Sequence, residues 1–168
     1  IVACYRDDAA LACDLVSLLA RAAGTRGMVG GQMLDMEAMG ALSQAEDEEK
    51  LRFLEQLHEM KTGALLLGSV LSGARIGRAS EAMTESLERY GRALGLAFQV
   101  TDDILDCTQS SDRLGKTSGK DEQQGKLTYP AVLGLAGARE KARVLLSTAL
   151  TSLDGFGPSA DALRDLGR

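Results

Sequence analysis

Apolar residues recur along this chain at helical spacing. Leu11, Leu15, Leu18 and Leu19 mark one stripe, and Leu51, Leu54 and Leu57 mark another. The uncharged run from Gly63 to Leu71 predicts a further apolar helix with Lys61 at its mouth. Ser80 is placed to cap a long helix running to Asp106, and Leu94, Leu96, Phe98, Val100, Ile104 and Leu105 make its second half oily enough to be buried. Gly91 and Gly95 lie four apart within it, cost helix stability and predict close packing by a neighbouring helix. From 107 to 127 the pattern dissolves into a polar loop with three glycines and with Lys116, Lys120 and Lys126. A loop of that length in a compact fold is usually functional or disordered. Thr128-Tyr129-Pro130 restarts a helix, with Thr128 or Tyr129 near the cap and Pro130 in the first turn, where its missing N–H does no harm. An amphipathic block from Ala138 to Leu153 follows, and Pro158 separates a short last helix. The expected fold class is all-α.

Composition agrees. The 168 residues suffice for one domain with a real core, and 45% hydrophobic residues with 4% aromatics and two prolines suit packed helices rather than an all-β fold. A net charge of −5, with no basic stripe, argues against nucleic acid as a partner. The longest apolar run, Ala64 to Ala74, is too short to span a bilayer and ends at Arg75. Three widely spaced cysteines, Cys4, Cys13 and Cys107, form no metal pattern and fit a reducing compartment. The expected compartment is the cytoplasm. Because the sequence begins at Ile1, an address for a plastid or another organelle upstream stays open.

The chemistry concentrates in Phe98-Gln-Val-Thr-Asp-Asp-Ile-Leu-Asp106. Asp102 and Asp106 are four apart, Asp103 and Asp106 three apart, and Gln99 is three before Asp102, so a helix can gather them on one face. Carboxylates this close repel one another unless something positive lies against them. A solvated helix face or a C-terminal cap is the plain alternative, since charge runs usually mean that. The acidic helix, the lysine-bearing loop and the helix start after it favour a different reading. Mg2+ prefers oxygen ligands and is typically held by one or two carboxylates plus substrate phosphates, so the segment reads as a magnesium and diphosphate site. His58 is the sole histidine and has no cysteine or histidine nearby, so it is read as structural rather than as a zinc ligand.

Gly95 to Asp106, then Leu114-Gly-Lys116, then Gly125-Lys-Leu-Thr-Tyr-Pro130, resemble the second half of a trans-isoprenyl diphosphate synthase, the farnesyl and geranylgeranyl diphosphate synthase family. Two upstream segments agree, Gly30-Gly-Gln-Met-Leu-Asp35 and His58-Glu-Met-Lys-Thr-Gly63, and the motifs fall in the family's order and spacing. The resemblance implies an antiparallel helical bundle of the isoprenoid synthase type. It implies head-to-tail prenyl transfer, in which an allylic diphosphate ionises with the help of Mg2+, or Mn2+ in its place. The resulting cation then alkylates isopentenyl diphosphate and a proton is lost. Under the resemblance Asp102 is the principal metal ligand, with Asp103 and Asp106 as further ligands or holders of metal-bound water. Lys61, Lys116 and Lys126 grip the allylic diphosphate. Thr62 and Gln99 turn oxygens toward the carbocation, and Gln32, Asp35 and Phe98 line the pocket. A homodimer is implied by the resemblance alone.

One departure matters. The family places two aspartate-rich motifs on facing helices, and only the second is present; Asp7-Asp8 is followed by Ala-Ala-Leu-Ala-Cys and does not supply the first. The chain opens on Ile1 and closes on Gly167-Arg168, short of the family's usual final helix. The expectation is that residues 1–168 are a C-terminal, single-domain all-α fragment holding half an active site and inactive alone. Two other readings stand beside it. A non-catalytic partner subunit of a heteromeric synthase commonly loses the aspartates that this chain keeps. A terpene cyclase carries an Asn/Asp, Ser/Thr, Glu triad at four-residue spacing, and Asp102, Asp106 and Ser110 do not match it.

Overall fold

A computed structural model describes residues 1–37, 45–113 and 127–167, the side chains of 109–113 aside. All regular structure among the described residues is helical. Helix α1 spans Ala9–Ala23 and starts where the Asp8 carboxylate accepts the Leu11 N–H at 3.0 Å. Helix α2 spans Met28–Glu37. Helix α3, Asp47–His58, opens on Asp47, Glu48 and Glu49, acids that suit the positive end of the helix dipole. It runs without a break into a π-helical turn, Glu59–Gly63, and on into α4, Ala64–Ile76. Helix α5, Glu81–Arg113, follows, with the Ser80 hydroxyl accepting the Met83 N–H at 3.3 Å as the sequence pattern predicts. Helix α6 is Tyr129–Thr151; Pro158–Ala160 forms a 3-10 turn and Asp161–Asp165 the short α7.

One helix limit differs from expectation, and one helix bends. Helix α5 continues seven residues beyond Asp106, to Arg113. No glycine or proline intervenes there, and the Thr108 hydroxyl returns to the Ile104 carbonyl at 2.9 Å, so nothing stops the helix where its apolar pattern ends. The helix start expected at Thr128–Pro130 is met at Tyr129, and that helix takes in the amphipathic block from Ala138 and bends at Gly134. Gly134 has φ 68° and ψ 162°, a conformation that only glycine adopts freely.

The core lies along α5 and α6, the pair in most extensive contact. Leu54, Leu57, Leu96, Val100, Tyr129, Ala138 and Ala142 form one buried cluster, joining α3 to both helices. Ala74, Leu87, Tyr90, Ala93, Ala149 and Leu153 form a second. The Tyr90 hydroxyl donates to the Leu163 carbonyl at 2.7 Å and so ties α7 to α5. The Arg164 guanidinium donates to the carbonyls of Leu153, Phe156 and Gly157, closing the turn between α6 and α7. The glycines of α5 act as expected. A Cβ on Gly91 would stand 3.4 Å from the Leu67 Cα, and one on Gly95 only 3.0 Å from the Gly63 Cα. Helices α4 and α5 are thus antiparallel neighbours with their backbones nearly in touch.

The bend in α6 gives a clean stability test. Nothing lies within 4 Å of a Cβ built on Gly134, so Gly134→Ala is penalised by backbone strain alone. It is expected to cost about 1–3 kcal/mol in urea denaturation. Gly155→Ala, equally unobstructed and without a positive φ, should fall within about 0.5 kcal/mol of the parent.

Candidate diphosphate and metal site

The π turn is the structural centre of the site. It holds Lys61 and Thr62 on the two residues before Gly63, where α2 and α5 both close on it. Turns of this kind, one residue wider than the α-helix around them, are frequent at functional sites. On the α2 side a Cβ at Gly31 would overlap the backbone nitrogen of Lys61 and lie 2.6 Å from its Cα. On the α5 side stands Gly95 against Gly63. Two glycines thus let three helices meet around one lysine.

That approach places Lys61 Nζ 2.7 Å from Asp35 Oδ2, a hydrogen-bonded ion pair between residues 26 apart in sequence. Both side chains are about 30% exposed (31% and 29%), so the pair is partly shielded yet open to a ligand. Of the residues expected to line the pocket, Asp35 is therefore joined to Lys61, while Gln32, one turn earlier on α2, is exposed. Thr62 and Gln99 are half-buried, and Gln99 lies one turn beyond Gly95 on α5. Phe98 is 57% exposed, a large apolar face beside the acidic turn. Lys116 and Lys126 lie outside the described residues.

The three aspartates divide. Asp102 and Asp106 are exposed on the outer face of α5, one turn apart. Asp103 is turned inward, 8% exposed, and its Oδ2 accepts the Tyr129 backbone N–H at 2.9 Å. Helical spacing allows all three on one face, but 102 and 103 are separated by about 100° around the axis, and the packing of α6 takes the inner one. Among the described residues no three His, Cys, Asp or Glu side chains converge as a closed metal site. Two open carboxylates fit a cation that takes one or two from protein and fills its remaining positions with water and phosphate oxygens.

Tyr129 is fully buried, its ring 5.5 Å from the ring of His58 and tilted to it by 50°. His58 is buried too. The Tyr129 hydroxyl finds no hydrogen-bond partner among the described residues. Burial, and then the negative charges of Glu55, Asp103 and Glu59, push its ionisation far above the usual tyrosine range. Glu55 itself is bridged to Lys141 of α6 at 2.6 Å.

A family model described as polyprenyl synthetase matches residues 4–154. The chain belongs to that family. Geranylgeranyl pyrophosphate synthase 9, chloroplastic, of Arabidopsis thaliana is 49% identical over 144 residues, which are 86% of this chain and 39% of that protein. An FPP/GFPP synthase from Zymomonas mobilis superposes with a TM-score of 0.80 at 34% identity, over 96% of this chain and 51% of that one. A geranyltransferase from Helicobacter pylori, solved with magnesium and isoprenyl diphosphate, superposes with a TM-score of 0.72 at 31% identity, over 95% of this chain and 50% of that one. This polyprenyl synthetase chain thus spans 39% of the plant relative and about half of the bacterial ones. The all-α bundle of the isoprenoid synthase type, expected from the sequence motifs, is the fold it has.

Two measurements probe this geometry. Gly31→Ala should force α2 from the π turn, break the Lys61–Asp35 pair and cost about 1–3 kcal/mol, read as a lower urea midpoint and a changed Lys61 side-chain NMR signal. Tyr129 bears on pH. The unfolded chain loses the tyrosine proton near pH ~10, whereas the folded chain keeps it. Stability from this group is therefore complete below that pH and falls as pH rises through and beyond it. Tyr129→Phe should remove up to about 1.4 kcal/mol of destabilisation for each pH unit above ~10, so its alkaline unfolding midpoint moves upward.

Proposed function

We propose that this chain supplies the second half of the active site of a short-chain trans-prenyl diphosphate synthase, a prenyltransferase that joins an allylic diphosphate to isopentenyl diphosphate. The observation that carries the reading is the conjunction of an ion-paired lysine on a π turn with two exposed carboxylates one turn apart on α5. Family membership and the names of the relatives support it.

Lys61 presents a positive ammonium for the allylic diphosphate, its position fixed by the ion pair with Asp35. Lys116 and Lys126 are proposed to add further positive charge around the same group. Asp102 and Asp106 would hold Mg2+, with Mn2+ as a substitute, and the donor set fits a hard cation. When bound, the metal would supply the positive charge that makes the diphosphate a better leaving group. Thr62 and Gln99 are neutral side chains with oxygen acceptors; turned toward an allylic cation they stabilise it without trapping it. Gln32 and Phe98 border the pocket. Preorganised charge and dipoles of this kind usually contribute more to catalysis than any other single effect.

The rest of the metal site and the isopentenyl diphosphate site belong, in this proposal, to a segment that carries the family's first aspartate-rich motif. A homodimer is proposed on family grounds. The Arabidopsis relative is named chloroplastic, so the proposed compartment is widened from the cytoplasm to include an organelle. No helix among the described residues is long and apolar enough to cross a membrane.

In an active synthase containing this chain, Asp102→Ala should lower kcat by about a hundredfold or more, the scale of losing one preorganised electrostatic contact. Near-normal turnover at saturating Mg2+ would overturn the assignment. Lys61→Ala should lower turnover and raise KM for the allylic substrate with the far-UV helical spectrum unchanged; a lost fold would mark the lysine as structural.

A further inference from the structure

We infer that Asp103, which the spacing of the motif groups with the metal ligands, is a positioning residue that seats the start of α6 against the acidic turn of α5. The inference deepens the reading of Asp102 and Asp106 given above and rests on it for what the seating serves.

A helix leaves its first N–H groups without intrahelical partners, and buried ones must find others. At the start of α6 the groups from Tyr129 to Val132 are settled. Pro130 has no N–H to satisfy. The Ala131 N–H meets the Thr128 hydroxyl at 3.4 Å, and the Val132 N–H meets the Thr128 carbonyl at 3.2 Å. The remaining group is the N–H of Tyr129, a residue with 0% exposure, and Asp103 Oδ2 accepts it at 2.9 Å. A carboxylate at a helix N-terminus also meets the favourable end of the helix dipole. Were Asp103 turned outward to a cation, a buried N–H would lose this partner.

The seating ties α6 to the turn that presents Asp102 and Asp106. Asp103 lies between them in sequence and is turned toward α6, about 100° around the helix from Asp102, so α6 backs the turn from its buried flank. His58, whose ring meets that of Tyr129, directly precedes the π turn that carries Lys61. One hydrogen bond thus joins the carboxylate face of α5 to the lysine-bearing turn through Tyr129.

Asparagine separates the two roles. Its side-chain oxygen still accepts an N–H, whereas its lost charge makes it a poor Mg2+ ligand. Amide hydrogen exchange of the whole chain is measured for the parent, Asp103→Asn and Asp103→Ala, with Mn2+ broadening of the Asp102 and Asp106 amide signals read in parallel. Asp103→Asn should keep Tyr129 exchange within about threefold of the parent and keep the Mn2+ broadening. Asp103→Ala should speed Tyr129 exchange at least tenfold, or fail to fold where Asp103→Asn folds. In an active synthase, Asp103→Asn should retain most of kcat while Asp102→Asn loses it. Unchanged Tyr129 exchange in a folded Asp103→Ala, or loss of broadening and turnover in Asp103→Asn equal to that in Asp102→Asn, would overturn the inference. Absence of Mn2+ broadening in the parent would count against the metal reading of Asp102 and Asp106, and the exchange comparison would still decide the seating.

Discussion

The contact on which the site depends is backbone against backbone. Gly31 of α2 approaches the π turn so closely that any side chain there would have to displace it, and a Cβ at Gly95 of α5 would stand 3.0 Å from the Gly63 Cα. Each glycine weakens its own helix by about 1 kcal/mol relative to alanine, a cost that would be hard to justify by local structure. What is gained is convergence. Three helices come near enough for Asp35 to reach Lys61, and a cation that would otherwise be one more solvated lysine is held at a defined place.

Electrostatics complete the arrangement. The chain is acidic overall, and the described turn at this end of α5 adds Asp102 and Asp106 to the nearby Glu55 and Glu59. An anionic ligand of the kind proposed gains nothing from such a field at long range. Attraction has to come from local positive charge, which Lys61 presents and a bound cation would supply. The Glu55–Lys141 bridge and the partners of Asp35 and Asp103 show how the inner acids are compensated one by one. Asp102 and Asp106 are left facing outward.

Much of this was legible in the sequence, and the exceptions share a cause. Helical class, the caps at Ser80 and Thr128 and the close packing at Gly91 and Gly95 follow from local chemistry or periodicity. The continuation of α5 past Asp106 did not, because apolar periodicity reports the buried length of a helix rather than its full length. The division of the aspartates was hidden as well. Spacing says which residues can share a face, but only the packing of α6, 26 residues further on, decides that Asp103 turns inward. The Lys61–Asp35 pair has the same character: the residues were candidates separately, and nothing in the linear pattern joins them.

The π turn has a consequence beyond the lysine it carries. Helices α3 and α4 form one continuous rod, yet the turn between them holds an extra residue relative to α-helical winding. An added residue shifts angular phase by roughly 100°. Leu54 and Leu57 before the turn serve one buried cluster, and Ala74 after it serves the other. The rod therefore works as two cams on a common shaft, with the π turn setting the angle between them. Gain or loss of one residue within 59–63 would not behave like an edit in a loop. It would rotate the whole of α4 against α1 and α5, misaligning the second core while leaving the first intact.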